Sequence, residues 1–311
     1  MKISVVISAF NEERKLPACL DSLDGFADEI IVVDNTSQDT TNKIAKKYTK
    51  HVYKRENNLM LNINKNFGFL KATGDWIISL DADERITPDL AAEIKKVIEK
   101  NDEKVSGYWI PRKNIIFGKW IQNSIWWPDY QLRLFRNGKG IFGEKHVHEM
   151  ITIDGQTEKL SSPMIHENYE SISQYLYKLD KIYTESEVKN IIASGKIISW
   201  LDAIRFPLED FLKTFFLQKG YKDGLHGLVL SLLQAFYAEI VFVKVWEKQG
   251  FIEYNDKNFL RNIEKEFSMS GLKLRYWFLS SWIENRKNPF VGISLRLKRK
   301  KILSRISKFQ S

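Results

Sequence analysis

Short apolar runs that alternate with helical patterns over the first hundred residues restrict most strongly what this chain can fold into. Ile3–Ser8, Glu29–Val33 and Trp76–Leu80 are too short and too evenly apolar for amphipathic helices, and they read as buried strands. His51–Lys54 adds a shorter one. Between them, Asn11 is placed to cap a helix bearing Leu16, Cys19, Leu20 and Leu23. Ser37 or Asp39 can cap a second, with Ile44, Ala45 and Tyr48. Ile63, Phe67 and Leu70 mark a third. Thr87, followed by Pro88, opens a fourth that carries Leu90, Ile94, Val97 and Ile98 inward. Such alternation implies a mainly parallel sheet with helices on both faces. Ligands of these sheets sit beyond the carboxyl ends of strands, where Asp34 and Asp81 fall.

The pattern changes after residue 105. Val105–Phe117, Leu132–Phe135 and Glu149–Ile153 look like strands, joined by turn signals at Asn137-Gly138 and Asp154-Gly155. Ser171 with Gln174 resembles a capping box opening a long helix with Tyr175, Leu179 and Tyr183. From about Trp200 the pattern is helical. Gly227–Trp246 is strongly apolar but contains Glu239 and Lys244. Each charge costs about 2.5–3.5 kcal/mol at a bilayer centre, so the segment is expected to be buried or interfacial, not spanning. The expected organisation is a domain over 1–170, a helical region over 171–250 and a basic helical tail over 251–311.

Charge is distributed unevenly. The net charge is +9, yet Lys273–Lys308 holds eleven basic residues against the single acid Glu284. A basic stretch attracts phosphates, on an anionic bilayer or in nucleic acid. Trp277, Trp282 and Phe290 suit either a bilayer interface or base stacking, but no recognised nucleic-acid motif accompanies them. The single cysteine, Cys19, excludes an intrachain disulfide and fits a reducing compartment. The opening residues lack the pattern of a cleaved leader. A cytoplasmic protein, peripheral on the inner face of the plasma membrane, is the expectation.

The chemistry is concentrated in Leu80-Asp81-Ala82-Asp83-Glu84. In an extended backbone residues i and i+2 point the same way, so Asp81 and Asp83 can converge on one divalent cation. Two hard oxygen donors suit Mg²⁺ or Mn²⁺. A cation there can stabilise a departing diphosphate. Arg133 and Arg136 can clamp that diphosphate or serve structural pairs. His166 can approach the metal or be an ordinary structural histidine. Glu149 and Asp129 are the candidates for a general base, with Glu149 favoured because His146, His148 and Glu149 cluster. Zinc at His146 and His148 is improbable for want of further ligands.

Four stretches together resemble family 2 glycosyltransferases of the GT-A fold: Ile3–Glu13, Ile31–Thr40, Asn66-Phe67-Gly68, and Ala72–Ile77 leading into Leu80–Glu84. The resemblance implies an α/β, Rossmann-like, mixed but mainly parallel sheet with flanking helices and a helical C-terminal region. It implies that Ala9, Phe10 and Glu12 border a nucleotide base. It also implies that Asp34 contacts uracil or ribose and that Asp81 and Asp83 serve a sugar diphosphate and its metal. Trp126–Arg136, Val147-His148-Glu149, Ile165-His166 and Phe211–Trp246 resemble a narrower group, the lipopolysaccharide-core glucosyltransferases. The two resemblances imply an inverting, metal-dependent hexosyltransferase using a UDP-sugar, with a glycolipid or cell-surface glycan as acceptor.

Overall fold

The structure is a computed structural model that describes residues 1–57, 61–143, 150–196, 198–254, 256–286 and 289–310. It forms two compact units, one of residues 1–122 and 126–170, the other of residues 123–125 and 171–311.

In chain order the first unit holds β1 (Ile3–Ala9), α1 (Leu16–Asp21), β2 (Glu29–Asp34), α2 (Thr41–Tyr48), β3 (His51–Lys54), α3 (Leu61–Lys71), β4 (Trp76–Asp81), β5 (Glu84–Arg85) and α4 (Pro88–Lys100). Then come β6 (Val105–Ile116), β7 (Lys119–Trp120), β8 (Asp129–Arg136), β9 (Gly140–Phe142), β10 (Ile151–Ile153), β11 (Gln156–Lys159) and β12 (Met164–Tyr169). The main sheet runs β3-β2-β1-β4-β8-β6-β12-β5, with β7 and β11 also paired to β6, while β9 and β10 form a separate ribbon. β3, β2, β1 and β4 are mutually parallel. β8 is antiparallel to both β4 and β6. This is the mixed, mainly parallel sheet expected of the GT-A fold.

Residue alternation along the strands divides the core. Val5, Ile7 and Val32 face Leu16, Leu20, Leu90 and Ile94 on one side. Val6, Ile31 and Val33 face Phe69 and Phe135 on the other. On that second face α3 lies very close to β1: a Cβ at Gly68 would come within 2.4 Å of Val6 Cγ1. Only glycine permits that approach, which is the physical content of Asn66-Phe67-Gly68.

Three local expectations fail here. Asn11 does not cap α1, which starts at Leu16 with Lys15 at the cap. Asn11 adopts φ +54° and accepts from the Gln38 N–H instead. Leu70 and Tyr48 are exposed, so α3 and α2 bury other residues. The Glu149–Ile153 run is a strand only over Ile151–Ile153, and its residues 144–149, including Glu149, lie outside the described residues. Thr87 caps α4 as expected, accepting from the Leu90 N–H at 3.2 Å.

The second unit is helical: α5 (Ile172–Lys178), α6 (Thr184–Ala193), α7 (Asp202–Phe211), α8 (Leu225–Lys248), α9 (Phe259–Glu284) and α10 (Pro289–Gln310). Ser171 Oγ accepts from the Gln174 N–H at the start of α5. A π-helical turn over Leu179–Tyr183 interrupts the long helix expected there. Val188, Ile198, Val241, Phe242 and Val245 form its core. Where Gly220 and Gly227 meet, a Cβ on Gly227 would lie 1.8 Å from the Gly220 carbonyl. α8 is long and apolar enough to cross a membrane by length and composition, and a third of its apolar window is buried. Its Lys244 Nζ donates to Asp180 Oδ1 and to Thr184 Oγ1, both at 2.8 Å. Trp277 stacks on Phe216, whereas Trp282 is exposed.

Candidate active site

The chain leaves β3 at one flank of β1 and re-enters the sheet as β4 at the other, so the switch of strand order falls beside β1. Ligand crevices form at such points. The register there pairs Ser8 with Asp81 and Ala9 with Asp34, so both acids end neighbouring strands at one edge.

Asp34 is fully buried. Its Oδ1 accepts from the Ser37 N–H at 3.0 Å and its Oδ2 from Asn42 Nδ2 at 2.8 Å. It therefore shapes the turn after β2, and the direct ribose or uracil contact expected of it is not available to a buried, occupied carboxylate. Next to it, Asn35 donates to Ser8 Oγ and accepts from Asn64 on α3. Asn64 also lines a cavity of about 320 Å³ with Lys54, Arg55 and Glu56 at the end of β3. Ala9 is buried at the end of β1, and Phe10 is exposed. Glu12 accepts through its carbonyl from the N–H groups of Lys15 and Leu16, starting α1.

Asp81 stands among cations. Its Oδ1 accepts from Lys65 Nζ and its Oδ2 from Arg133 Nη2, each at 2.5 Å. Burial opposes its ionisation, but Arg133 and Lys65 outweigh burial and hold the carboxyl well below the usual range. Glu84 lies beneath, with no exposed surface. It accepts from the Asp81 N–H at 3.0 Å and from Arg133 at 2.7 Å, with Arg112 Nη1 3.6 Å away. Burial disfavours the Arg133 cation, yet Asp81 and Glu84 raise its pKa. Arg133 thus already serves two carboxylates.

Asp83 has a different set of partners. The backbone turns at Ala82 and Asp83, so the extended-strand argument for convergence with Asp81 does not hold. Asp83 Oδ2 lies 3.6 Å from His166 Nε2 and 3.8 Å from Lys15 Nζ. These separations exceed a direct hydrogen bond, so the carboxylate and imidazole lone pairs are not used up on each other. Burial opposes ionisation of Asp83 as well, but His166 and Lys15 keep its carboxyl below the usual range. His166 arrives through the antiparallel pairing of β5 with β12, which sets it opposite Glu84. The Asp83 carbonyl accepts from the Glu167 N–H at 2.9 Å.

Asn114 orients the imidazole. Its Nδ2 donates to the Trp126 carbonyl at 2.9 Å and to Asp129 Oδ2 at 3.1 Å, which turns its Oδ1 toward His166 Nδ1 at 2.7 Å. With the amide so assigned, Nδ1 carries the proton and Nε2 presents its lone pair toward Asp83. A carboxylate and a neutral imidazole suit a first-row divalent cation such as Mn²⁺, so the residues present fit the group. Among the described residues no three His, Cys, Asp or Glu side chains form a ready metal cluster.

Two expected site residues prove structural. Asp129 accepts from Arg112 Nε at 2.8 Å, Arg112 Nη2 at 2.6 Å, Asn114 and Gln131 Nε2 at 2.9 Å. Burial works against its ionisation, but Arg112 and the amides keep its pKa low. Such a carboxylate orients Arg112 and Asn114 and is poorly suited to accept a proton. Arg136 pairs with the opposite end of β4, at Trp76. There it donates to the Val105 and Asp102 carbonyls and to Asn101 Oδ1, and its guanidinium covers the Trp76 ring at 4.6 Å. Arg133 and Arg136 are three apart in a strand and so face opposite sides of the sheet; that spacing already separates them. Sequence reading missed Lys15, Lys65, Glu84, Arg112 and Asn114. The one signal for Glu84 was its place in the acidic turn.

Residues 4–153 match the family model described as glycosyl transferase family 2. Over 258 residues the chain is 25% identical to the lipopolysaccharide core biosynthesis glycosyltransferase LpsC of Rhizobium meliloti, covering 80% of this chain and 94% of that one. It is 27% identical over 258 residues to an uncharacterized glycosyltransferase of Rickettsia typhi, covering 79% and 87%. Among solved structures, S. aureus TarS 1-349 in complex with UDP-GlcNAc aligns with a TM-score of 0.43 and 16% identity, covering 82% of this chain and 93% of that one.

Proposed function

Since residues 4–153 make this chain a member of glycosyl transferase family 2, we propose that it is an inverting hexosyltransferase moving glucose from a UDP-sugar to a lipopolysaccharide-core or other cell-surface glycan. The acceptor class is drawn from the likeness to LpsC. The observation that carries the reading is the meeting of Asp83 with His166, next to Asp81, at the switch point of the sheet.

In this reading Asp83 and His166, with Asp81 beside them, would hold a divalent cation, Mn²⁺ or Mg²⁺. When bound, such a cation neutralises charge on a departing nucleoside diphosphate. The chain's own cations work alongside. Lys65 and Arg133, fixed by Asp81, and Lys15, near Asp83, set a positive field for the same diphosphate. Ala9, Phe10 and Glu12 border the base, and Asp34 holds the turn beneath it. Glu149 accepts the proton of the acceptor hydroxyl as that oxygen attacks the anomeric carbon. Work on a membrane glycolipid places the protein on the cytoplasmic face, with α9 and α10 against anionic lipid.

The test is UDP release from UDP-glucose with Mn²⁺. Asp83→Ala is expected to lower the rate about 10²–10³-fold, the typical effect of losing one charge-stabilising group. If that variant hydrolyses the donor as fast as the parent protein, the proposed site is wrong.

A further inference from the structure

The second unit contains a cavity of about 450 Å³ among α7, α8, the segment after α8 and the start of α9. Trp200, Ala203, Phe242, Trp246, Ile252 and Phe259 supply most of its wall, and Glu253 is the one charged side chain lining it. Trp200 and Phe259 pack ring to ring at 4.8 Å. The polar atoms of two wall residues turn into the protein: Trp246 Nε1 donates to the Ile252 carbonyl at 2.9 Å, and Tyr254 OH to the Ile198 carbonyl at 3.3 Å. The interior is thus carbon over most of its surface. A sugar or nucleotide has too few partners there, and protein interiors rarely keep apolar voids of this size.

The cavity is open. Ile252 is 52% exposed, and Tyr254 and Phe259 are also well exposed. Phe251 and Leu260, at 52% and 79% exposure, extend the apolar surface on either side in sequence. The surrounding unit is strongly cationic: residues 171–311 carry 24 basic and 14 acidic side chains. An apolar chain attached to an anionic head complements both features.

We propose that this cavity binds one acyl chain of a lipid drawn from an anionic bilayer. The proposal stands apart from the sugar-transfer reading, because its readout needs neither donor nor turnover.

The probe is cis-parinaric acid, an acyl chain that fluoresces in an apolar site, titrated into the full chain below its micellar concentration. The expected result is saturation at one probe per chain, with displacement by oleate. Ala203→Trp, which fills the cavity, is expected to weaken binding at least ten-fold with unchanged far-ultraviolet circular dichroism. Ile252→Asp adds a charge at a half-exposed wall position that folding tolerates, and is expected to weaken binding about ten-fold; it decides the matter if Ala203→Trp misfolds. A linear, non-saturating rise, or parental affinity in a folded variant, overturns the site. A second arm uses phosphatidylglycerol vesicles with brominated acyl chains. At equal vesicle binding, tryptophan quenching should be stronger for the parent protein than for Ile252→Asp. Equal quenching removes the bilayer as the source and overturns the proposal.

Discussion

The two units use charge in opposite ways. Residues 1–170 carry 24 basic and 25 acidic residues, whereas 171–311 carry 24 and 14. In the first unit the decisive charges are buried and matched. Asp81, Asp83, Glu84 and Asp129 meet Lys15, Lys65, Arg112 and Arg133 within one cluster. In the second unit, most basic residues of α9 and α10 lie on the surface, next to exposed apolar side chains such as Trp282, Ile293 and Leu297. A buried, balanced cluster fixes positions to within a bond length; a one-signed surface attracts a partner without fixing a pose. The difference suits a chain that orients a small charged donor in one part and rests on something large and anionic in the other.

The sharpest way to break this contrast is to remove one carboxylate from the buried cluster. Glu84→Ala takes the acceptor from the Asp81 N–H and one partner from the buried Arg133. Removing one member of a buried ionic network typically costs about 3–5 kcal/mol, because the remaining charge is left uncompensated. Hydrogen exchange of the β4 amides should report that loss. A change below about 1 kcal/mol would mean that the network is solvated and the contrast false. The same cluster has a pH signature. Asp81 and Asp83 titrate below their usual range in the folded chain. A depressed carboxyl adds stability that is complete above its unfolded pKa and disappears as pH falls through the folded one. Protection of β4 should therefore hold at neutral pH and decline only in acid, below the ordinary carboxylate range. Asp81→Asn should flatten that decline.

Legibility from sequence divides along related lines. The strands ending at Asp34 and Asp81 were readable because each is a run of buried residues closed by an acid, a local pattern. The nearness of His166 to Asp83 was not readable. It depends on β5 pairing with β12, some eighty residues away along the chain, and nothing in either strand's composition announces that partner. Lys15 and Lys65 were hidden for the opposite reason: on helices, lysines read as solvated residues, and only tertiary placement next to a carboxylate shows otherwise. Asp34 was correctly placed at a strand end, but its occupation by Ser37 and Asn42 belongs to a turn whose geometry the sequence did not disclose. The apolar character of α8 was plain from sequence, while the cavity beside it depends on how α7 and the start of α9 pack.

On the other side of the comparison, surface charges should act additively and respond to salt. Lys300 and Lys301 are both exposed on α10. Replacing both with Gln should weaken partition onto phosphatidylglycerol vesicles by about 2 kcal/mol, roughly 30-fold, since each basic residue near an anionic surface contributes about 1 kcal/mol. Neutral phosphatidylcholine vesicles should show little change. Equal loss on both lipids would make the effect structural and not electrostatic. A short basic oligonucleotide-binding stretch would instead lose affinity for single-stranded DNA while vesicle binding stayed at the parental level.

The smallest expected effect tests whether any ion pair in the helical unit behaves like the buried cluster. Arg205 and Glu266 form a two-pronged pair, Nε at 3.0 Å and Nη2 at 2.8 Å, with Arg205 about 40% exposed. Its geometry is as good as that of Arg133 with Asp81, so geometry alone predicts similar strength. Solvent argues otherwise: a partly exposed pair is screened, and the water it displaces had served both groups nearly as well. A double-mutant cycle of Arg205→Ala and Glu266→Ala should give a coupling of about 0.5–1 kcal/mol that shrinks as salt rises. A salt-insensitive coupling of about 3 kcal/mol would show that geometry and not burial sets the scale, and the division between the two units would then lose its physical basis.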